Sequence, residues 1–149
     1  MSIGDICNRE VIVIQKHESL QDAVELMRAH HVGSLVVVER KGKMNLPVGI
    51  ITDRDIVIEV IAEKVDSNSV TVGDVMSDDL LIARETDDVL DTLQQMRDRG
   101  VRRLPIVDLH GGLVGILSAD DLLDVISEQI ADLVKLIAKE QRREAVLHD

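Results

Sequence analysis

A chain that repeats itself must fold as related halves, and this chain repeats most of its length. Gly4-Asp5-Ile6 returns as Gly73-Asp74-Val75, Asp22 as Asp91, Met27 as Met96 and Val32 as Val101, each pair 69 positions apart. Further on, Gly49-Ile50-Ile51-Thr52-Asp53-Arg54-Asp55-Ile56 returns as Gly115-Ile116-Leu117-Ser118-Ala119-Asp120-Asp121-Leu122, at an offset of 66, so an intervening loop is three residues shorter in the second copy. A single repeat unit is often unable to bury its apolar face alone, so the two copies are expected to pack together. Two related halves also make two related clefts between them.

With 149 residues, 45% apolar and 30% charged, the chain suits one soluble unit of ordinary domain size. No apolar run approaches the roughly 20 residues of a membrane span, so no membrane insertion is expected. Asp5, Arg9 and Glu10 near the N-terminus argue against a secretory signal. Cys7 is the only cysteine, which excludes an intrachain disulfide and fits a reducing cytoplasm. It aligns with Met76, which favours an apolar contact over a reactive thiol. The net charge of −11 and the absence of Phe, Tyr and Trp speak against nucleic acid, which needs cationic stripes or stacking platforms. A planar ligand would have to lie between aliphatic side chains and backbone.

Hydrophobic patterning gives the same order of elements twice. In the first copy, Val11–Ile14 reads as a buried strand and Ser19 with Asp22 as the cap of a helix carrying Leu20, Ala23, Val24 and Met27. Gly33 ends that region, Leu35–Val38 and Val48–Ile51 are strands flanking a turn over Arg40–Pro47, and Asp53–Glu63 is a second helix. Lys64–Val70 is a polar linker. In the second copy, Leu80–Ala83 is a strand, Thr86 caps a helix with Val89, Leu90, Leu93 and Met96, and Leu104–Val107 and Leu113–Leu117 flank Gly111-Gly112. Pro105 lacks a backbone donor, so its strand is expected to start there or lie at an edge. From Asp120 a helical pattern runs to about His148, with Leu122, Ile126, Ile130, Leu133 and Ile137 on one stripe. That stripe is expected to pack on its own domain or on a dimer partner.

Both third strands end alike: glycine, two apolar residues, a hydroxyl residue, two variable positions, then aspartate and an apolar residue. Here the chain resembles the CBS (cystathionine β-synthase) domain family in tandem, the Bateman module, over about residues 2–127. The resemblance is carried by Ile3-Gly4-Asp5-Ile6 and Val72-Gly73-Asp74-Val75-Met76, by the segments at Val32–Val38 and Val101–Asp108, and by the two strand-end motifs. It implies an α/β fold of two strand-helix-strand-strand-helix repeats related by a pseudo-twofold axis, here 1–65 and 66–128, with 129–149 a helical extension. It implies dimerisation through helix faces. It also implies adenosine ligands in the clefts between the repeats: AMP, ADP or ATP, with S-adenosylmethionine or NAD less common, and no cofactor required.

The family's Thr/Ser-x-x-Asp motif falls on Thr52 and Asp55, and again on Ser118 and Asp121. A carboxylate in the first helical turn can accept both hydroxyls of a ribose, and a hydroxyl residue beside free helix N–H groups suits a phosphate oxygen. Losing Asp55 or Asp121 is then expected to weaken its site about ten- to a hundredfold. The same spacing also fits a capping box, in which hydroxyl and carboxylate serve each other's backbone. Among Arg54, Arg102 and Arg103, at least one is expected to reach a phosphate through bidentate geometry. Arg54 aligns with Asp120, and Arg102-Arg103 with Gly33-Ser34, so the two clefts are expected to differ in affinity. His30 and His31 suit a helix C-terminus, Asp78-Asp79 and Asp87-Asp88 suit turns and helix starts, and none of these residues makes a metal cage. Asp53, Asp55, Asp120 and Asp121 could attract Mg²⁺ carried by a polyphosphate.

These residues point to a regulatory adenine-nucleotide sensor with no catalytic residues, acting on a separate, unidentified polypeptide. A nucleotide hydrolase is disfavoured, because no P-loop pattern and no nucleophile–base spacing is present. A ligand-free protein that assembles through its last helix is the remaining alternative.

Overall fold

The apolar runs of the two copies become two three-stranded sheets, and the reason for their order is visible in the hydrogen bonding. The structure, a computed structural model, describes residues 1–148; Asp149, the end of the expected 129–149 extension, lies outside the described residues. The first copy contains α1 (Ile3–Ile6), β1 (Val13–Gln15), α2 (Leu20–His30), β2 (Ser34–Lys41), β3 (Met44–Thr52) and α3 (Asp53–Ile56). The second contains α4 (Val72–Val75), β4 (Ala83–Arg84), α5 (Val89–Arg99), β5 (Arg103–Val107), β6 (Leu113–Ser118) and α6 (Ala119–His148). In each sheet a parallel pair is followed by an antiparallel one, in the orders β1-β2-β3 and β4-β5-β6. Both antiparallel ladders slip at the same place, between Val37 and Val38 and between Ile106 and Val107. The first hairpin continues to a Lys41–Met44 pair, whereas the second stops at Val107–Leu113, and this accounts for the three-residue difference in spacing.

The two cores exchange their leading turns. Val72 of α4 is fully buried with Ile14, Leu20, Leu35, Val37 and Ile51 of the first sheet. Ile3 of α1 is fully buried with Ala83, Met96, Leu104, Ile106 and Leu117 of the second. Backbone bonds hold each exchange: Ile3 N–H donates to Asp87 C=O at 2.9 Å and Gly4 N–H to Glu85 C=O at 2.8 Å, while Val72 and Gly73 N–H donate to Glu18 and Lys16 C=O at 3.0 and 2.8 Å. Close approach explains the paired glycines further on. A Cβ on Gly115 would lie 2.7 Å from Cys7 Sγ and 3.0 Å from the Asn8 carbonyl, and Gly49 is similarly crowded by the Met76 side chain. Cys7 therefore makes the expected apolar contact, and burial pushes its thiol above the ordinary range.

Several elements differ from their expected form. β1 and β4 begin later than Val11 and Leu80, at Val13 and Ala83. Pro105 neither starts β5 nor lies at an edge; it is buried in the central strand of its sheet. It is tolerated because its counterpart Val36 donates to Ile12 C=O at 3.1 Å, on the side where β4 has not yet begun to pair. Asp88, not Thr86, caps α5, accepting from Leu90 and Asp91 N–H at 3.1 and 3.2 Å. α2 is terminated by His31 as its C-cap rather than by Gly33, with His31 left-handed at φ 54°, the position that Gly100 occupies in the second copy at φ 66°. The helix expected over Asp53–Glu63 is α for one turn and then widens to a π turn over Val57–Ile61. The β-branched run Ile56-Val57-Ile58 with Val60 and Ile61 crowds a regular α turn. The last helix is continuous over 30 residues, as its pattern indicates.

Candidate functional site

The end of β3 and the first turn of α3 bring Thr52 and Asp55 to the seam between the halves, and the end of β6 and the first turn of α6 bring Ser118 and Asp121 to the equivalent seam. Each pair forms a reciprocal capping box. Asp55 N–H donates to Thr52 Oγ1 at 3.1 Å and Thr52 N–H to Asp55 Oδ2 at 3.0 Å. Asp121 N–H donates to Ser118 Oγ at 3.1 Å and Ser118 N–H to Asp121 Oδ2 at 3.2 Å. Among the described residues these bonds engage only one oxygen of each carboxylate. Oδ1 remains as an acceptor, and both hydroxyl hydrogens remain as donors, so capping occupies half of each motif.

A cavity of about 330 Å³ opens beside the first pair, in the range of small-ligand sites. One wall is Ile50, Thr52 and Asp55; the opposite wall comes from the second copy, through Ser77, Asp79, Leu80 and Leu81 and through Gly100–Arg103. The walls are stapled by Ile50 and Ser77, which exchange N–H to C=O bonds of 3.0 and 2.9 Å. Arg102 and Arg103 thus belong to the same cleft as Asp55. Arg102 makes a 3.5 Å ion pair with Asp120 in which both side chains are mostly exposed, a contact weak enough to yield to a stronger anion. Asp79, which also lines the cavity, is held by Arg99 at 2.7 Å, so its charge is already countered.

The pseudo-twofold axis carries the first seam onto Asn8–Ile12, His31–Ser34 and Ile116–Asp121. The same staple is present there, between Asn8 and Ile116, with both bonds at 2.9 Å. Where the first cleft has Arg102 and Arg103, the second has Gly33 and Ser34. Arg54 is exposed and does not line the first cavity. It follows Asp53, whose N–H donates to Gly33 C=O at 2.9 Å, so Arg54 stands beside the second seam. The expected site residues are therefore divided: Thr52, Asp55, Arg102 and Arg103 meet in one cleft, Ser118 and Asp121 face the other, and Arg54 lies near the latter. The wall at Ser77, Asp79, Leu80 and Leu81 and at Gly100–Val101 was missed from sequence. Asp79 is an exposed turn carboxylate, as its position suggests, and stands at the rim of the cavity as well.

Two interlocked repeats with a cavity at the first of two equivalent seams define a tandem α/β module. The CBS domain family model matches residues 3–62 and 72–128, and the chain belongs to that family. Hypoxic response protein 1 of Mycobacterium tuberculosis is 33% identical over 134 residues, covering 89% of this chain and 91% of that protein. A CBS domain pair solved with 5′-methylthioadenosine and S-adenosyl-L-methionine superposes with a TM-score of 0.74 at 24% identity, covering 87% and 98% of the two chains. A CBS domain protein of Pyrobaculum aerophilum solved with AMP superposes at 0.73 with 22% identity, covering 82% and 90%. At these identities the two structures show the fold. Among the described residues, no helix is long and apolar enough to cross a membrane.

Proposed function

We propose that this chain is a regulatory module that binds an adenosine-containing ligand, AMP, ADP or ATP in the first instance, in the cleft between β3 and the second repeat. The observation that carries the reading is the convergence of a carboxylate with one free oxygen, Asp55, and two arginines, Arg102 and Arg103, on a single cavity of about 330 Å³. In this arrangement Asp55 Oδ1 accepts the ribose hydroxyls and the Thr52 hydroxyl donates to a phosphate oxygen. Arg102, released from Asp120, and Arg103 neutralise the phosphate charge. Ile50, Leu80, Leu81 and Val101 offer the base aliphatic walls, in keeping with a chain that has no aromatic residue. Related pairs solved with AMP and with S-adenosyl-L-methionine support the ligand class.

The halves at 1–65 and 66–128 would shift relative to one another on binding, and a separate protein would read the shift. Such a response requires different ligand affinities in the two arrangements. No catalytic role is assigned, and the location is taken to be cytoplasmic. Calorimetric titration with AMP, ADP, ATP, S-adenosylmethionine and NAD tests the reading, which fails if none gives heat at millimolar concentration. Incubation with ATP should release no phosphate; release would favour the hydrolase alternative.

A further inference from the structure

Beyond Glu128 the last helix leaves the body of the molecule and nearly every residue is exposed, yet one face remains apolar. Ile126, Ile130, Leu133 and Ile137 are 40, 58, 56 and 48% exposed. Their steps of four, three and four read the same from either end, the repeat of a coiled-coil seam. Around the midpoint of that stripe the charges change sign. Asp120, Asp121, Asp124, Glu128 and Asp132 precede or adjoin it without a single cation among them. Lys135, Lys139, Arg142 and Arg143 follow, with Glu140 and Glu144.

We infer that the apolar face of α6 is covered by α6 of a second copy of this chain, running antiparallel about a twofold axis between Ala131 and Asp132. This register sets Ile126 against Ile137 and Ile130 against Leu133 of the second copy, giving four apolar layers. The same axis brings Asp120, Asp121, Asp124 and Glu128 level with Arg143, Arg142, Lys139 and Lys135 of the other helix. Most of these charged groups project away from the stripe, with Asp120 and Arg143 on its flanks, so they favour the antiparallel orientation mainly through the overall field rather than through ion pairs. Parallel pairing would set the acidic first halves of both helices level with each other.

A second feature fits the same occupant. Beside the start of the stripe lies an apolar groove of about 230 Å³ between α5 and α6, lined by Leu90, Leu93, Leu122, Val125 and Ile126. Leu90 is 71% exposed. In the antiparallel register, the segment of the second copy passing this groove carries Val134, Ile137 and Ala138, which supply apolar side chains to fill it. The net charge of −11 disfavours an anionic lipid surface as the alternative cover.

The test uses the full chain. Sedimentation equilibrium of the wild type should give an assembly whose mass falls twofold in the Ile130→Asp/Leu133→Asp variant. Both residues are exposed in the single chain, so the far-ultraviolet spectrum and melting of the repeats should persist. Orientation is read by a spin label on Glu144→Cys in a Cys7→Ser background. Antiparallel pairing separates the two labels by about 37 Å along the axis, from 25 residues at 1.5 Å each, whereas parallel pairing leaves them within about 20 Å. A monomeric wild type, an assembly mass unchanged by the double substitution, or the shorter label separation would each overturn the inference.

Discussion

Replacing Asp55 by alanine separates two roles that its carboxylate holds at once. Oδ2 accepts the Thr52 N–H at 3.0 Å, and loss of that half-buried bond should cost about 1 kcal/mol. For a chain of this size the melting temperature should fall by about 2–4 °C. Asp121 makes the equivalent bond to Ser118 N–H, at 3.2 Å, so Asp121→Ala should cost about the same. Ligand affinity should separate the two variants. A hydrogen bond to a charged group contributes about 1.5–3 kcal/mol, so Asp55→Ala should raise the AMP dissociation constant roughly ten- to a hundredfold. Asp121 faces the seam that has Gly33 and Ser34 in place of arginines, and its removal should leave the tighter site within about threefold of wild type. Calorimetry and thermal melting followed by circular dichroism on the same samples provide both readouts. If both variants melt alike and neither changes the dissociation constant, the carboxylates are caps alone and the binding geometry proposed for the first cleft is wrong.

His31→Gly should raise stability by about 1 kcal/mol, because a left-handed residue with a Cβ is strained and the second copy uses Gly100 there; an unchanged or lower melting temperature would contradict this. Ile3→Ala should cost about 2–5 kcal/mol in urea unfolding, as for any fully buried isoleucine, although Ile3 precedes the first sheet and sits in the core of the second. Native Cys7 should react with a disulfide reagent at pH 8 far more slowly than the urea-unfolded chain. Burial holds its thiol neutral, and the unfolded thiol ionises first as pH rises, so stability should decline through the ordinary thiol range and Cys7→Ser should remove that decline. Comparing urea midpoints of the two proteins between pH 7 and 10 checks the sign.

The repeat and the strand-end motifs were legible because they depend on local chemistry: a hydroxyl and a carboxylate three residues apart cap a helix wherever they occur. The strand-helix-strand-strand-helix order and the long last helix followed from hydrophobic spacing, whereas the short leading turns α1 and α4 did not. What sequence reading missed was non-local. Val72 and Ile3 look like members of their own repeats, and nothing in their spacing reveals that each is buried in the opposite core. Pro105 was misplaced because the rule against proline in a central strand concerns the donor, and here the partner strand is too short to need one. Asp88 displaced Thr86 as the cap because α5 starts two residues later, at Val89, where the Asp88 carboxylate reaches the N–H groups of Leu90 and Asp91. Arg102 and Arg103 could not be assigned to a cleft until the second copy was seen to provide the wall opposite Thr52 and Asp55.

The crossed leading turns have a consequence for the origin of such a chain. A repeat severed from its twin would present an empty socket where the neighbour's isoleucine or valine had docked, together with a loose plug of its own. Two severed copies satisfy each other without any change of sequence. The tandem can therefore be read as a former pair of separate subunits joined end to end. Once joined, the two subunits were free to differ, and here one seam carries Arg102 and Arg103 where the other carries Gly33 and Ser34.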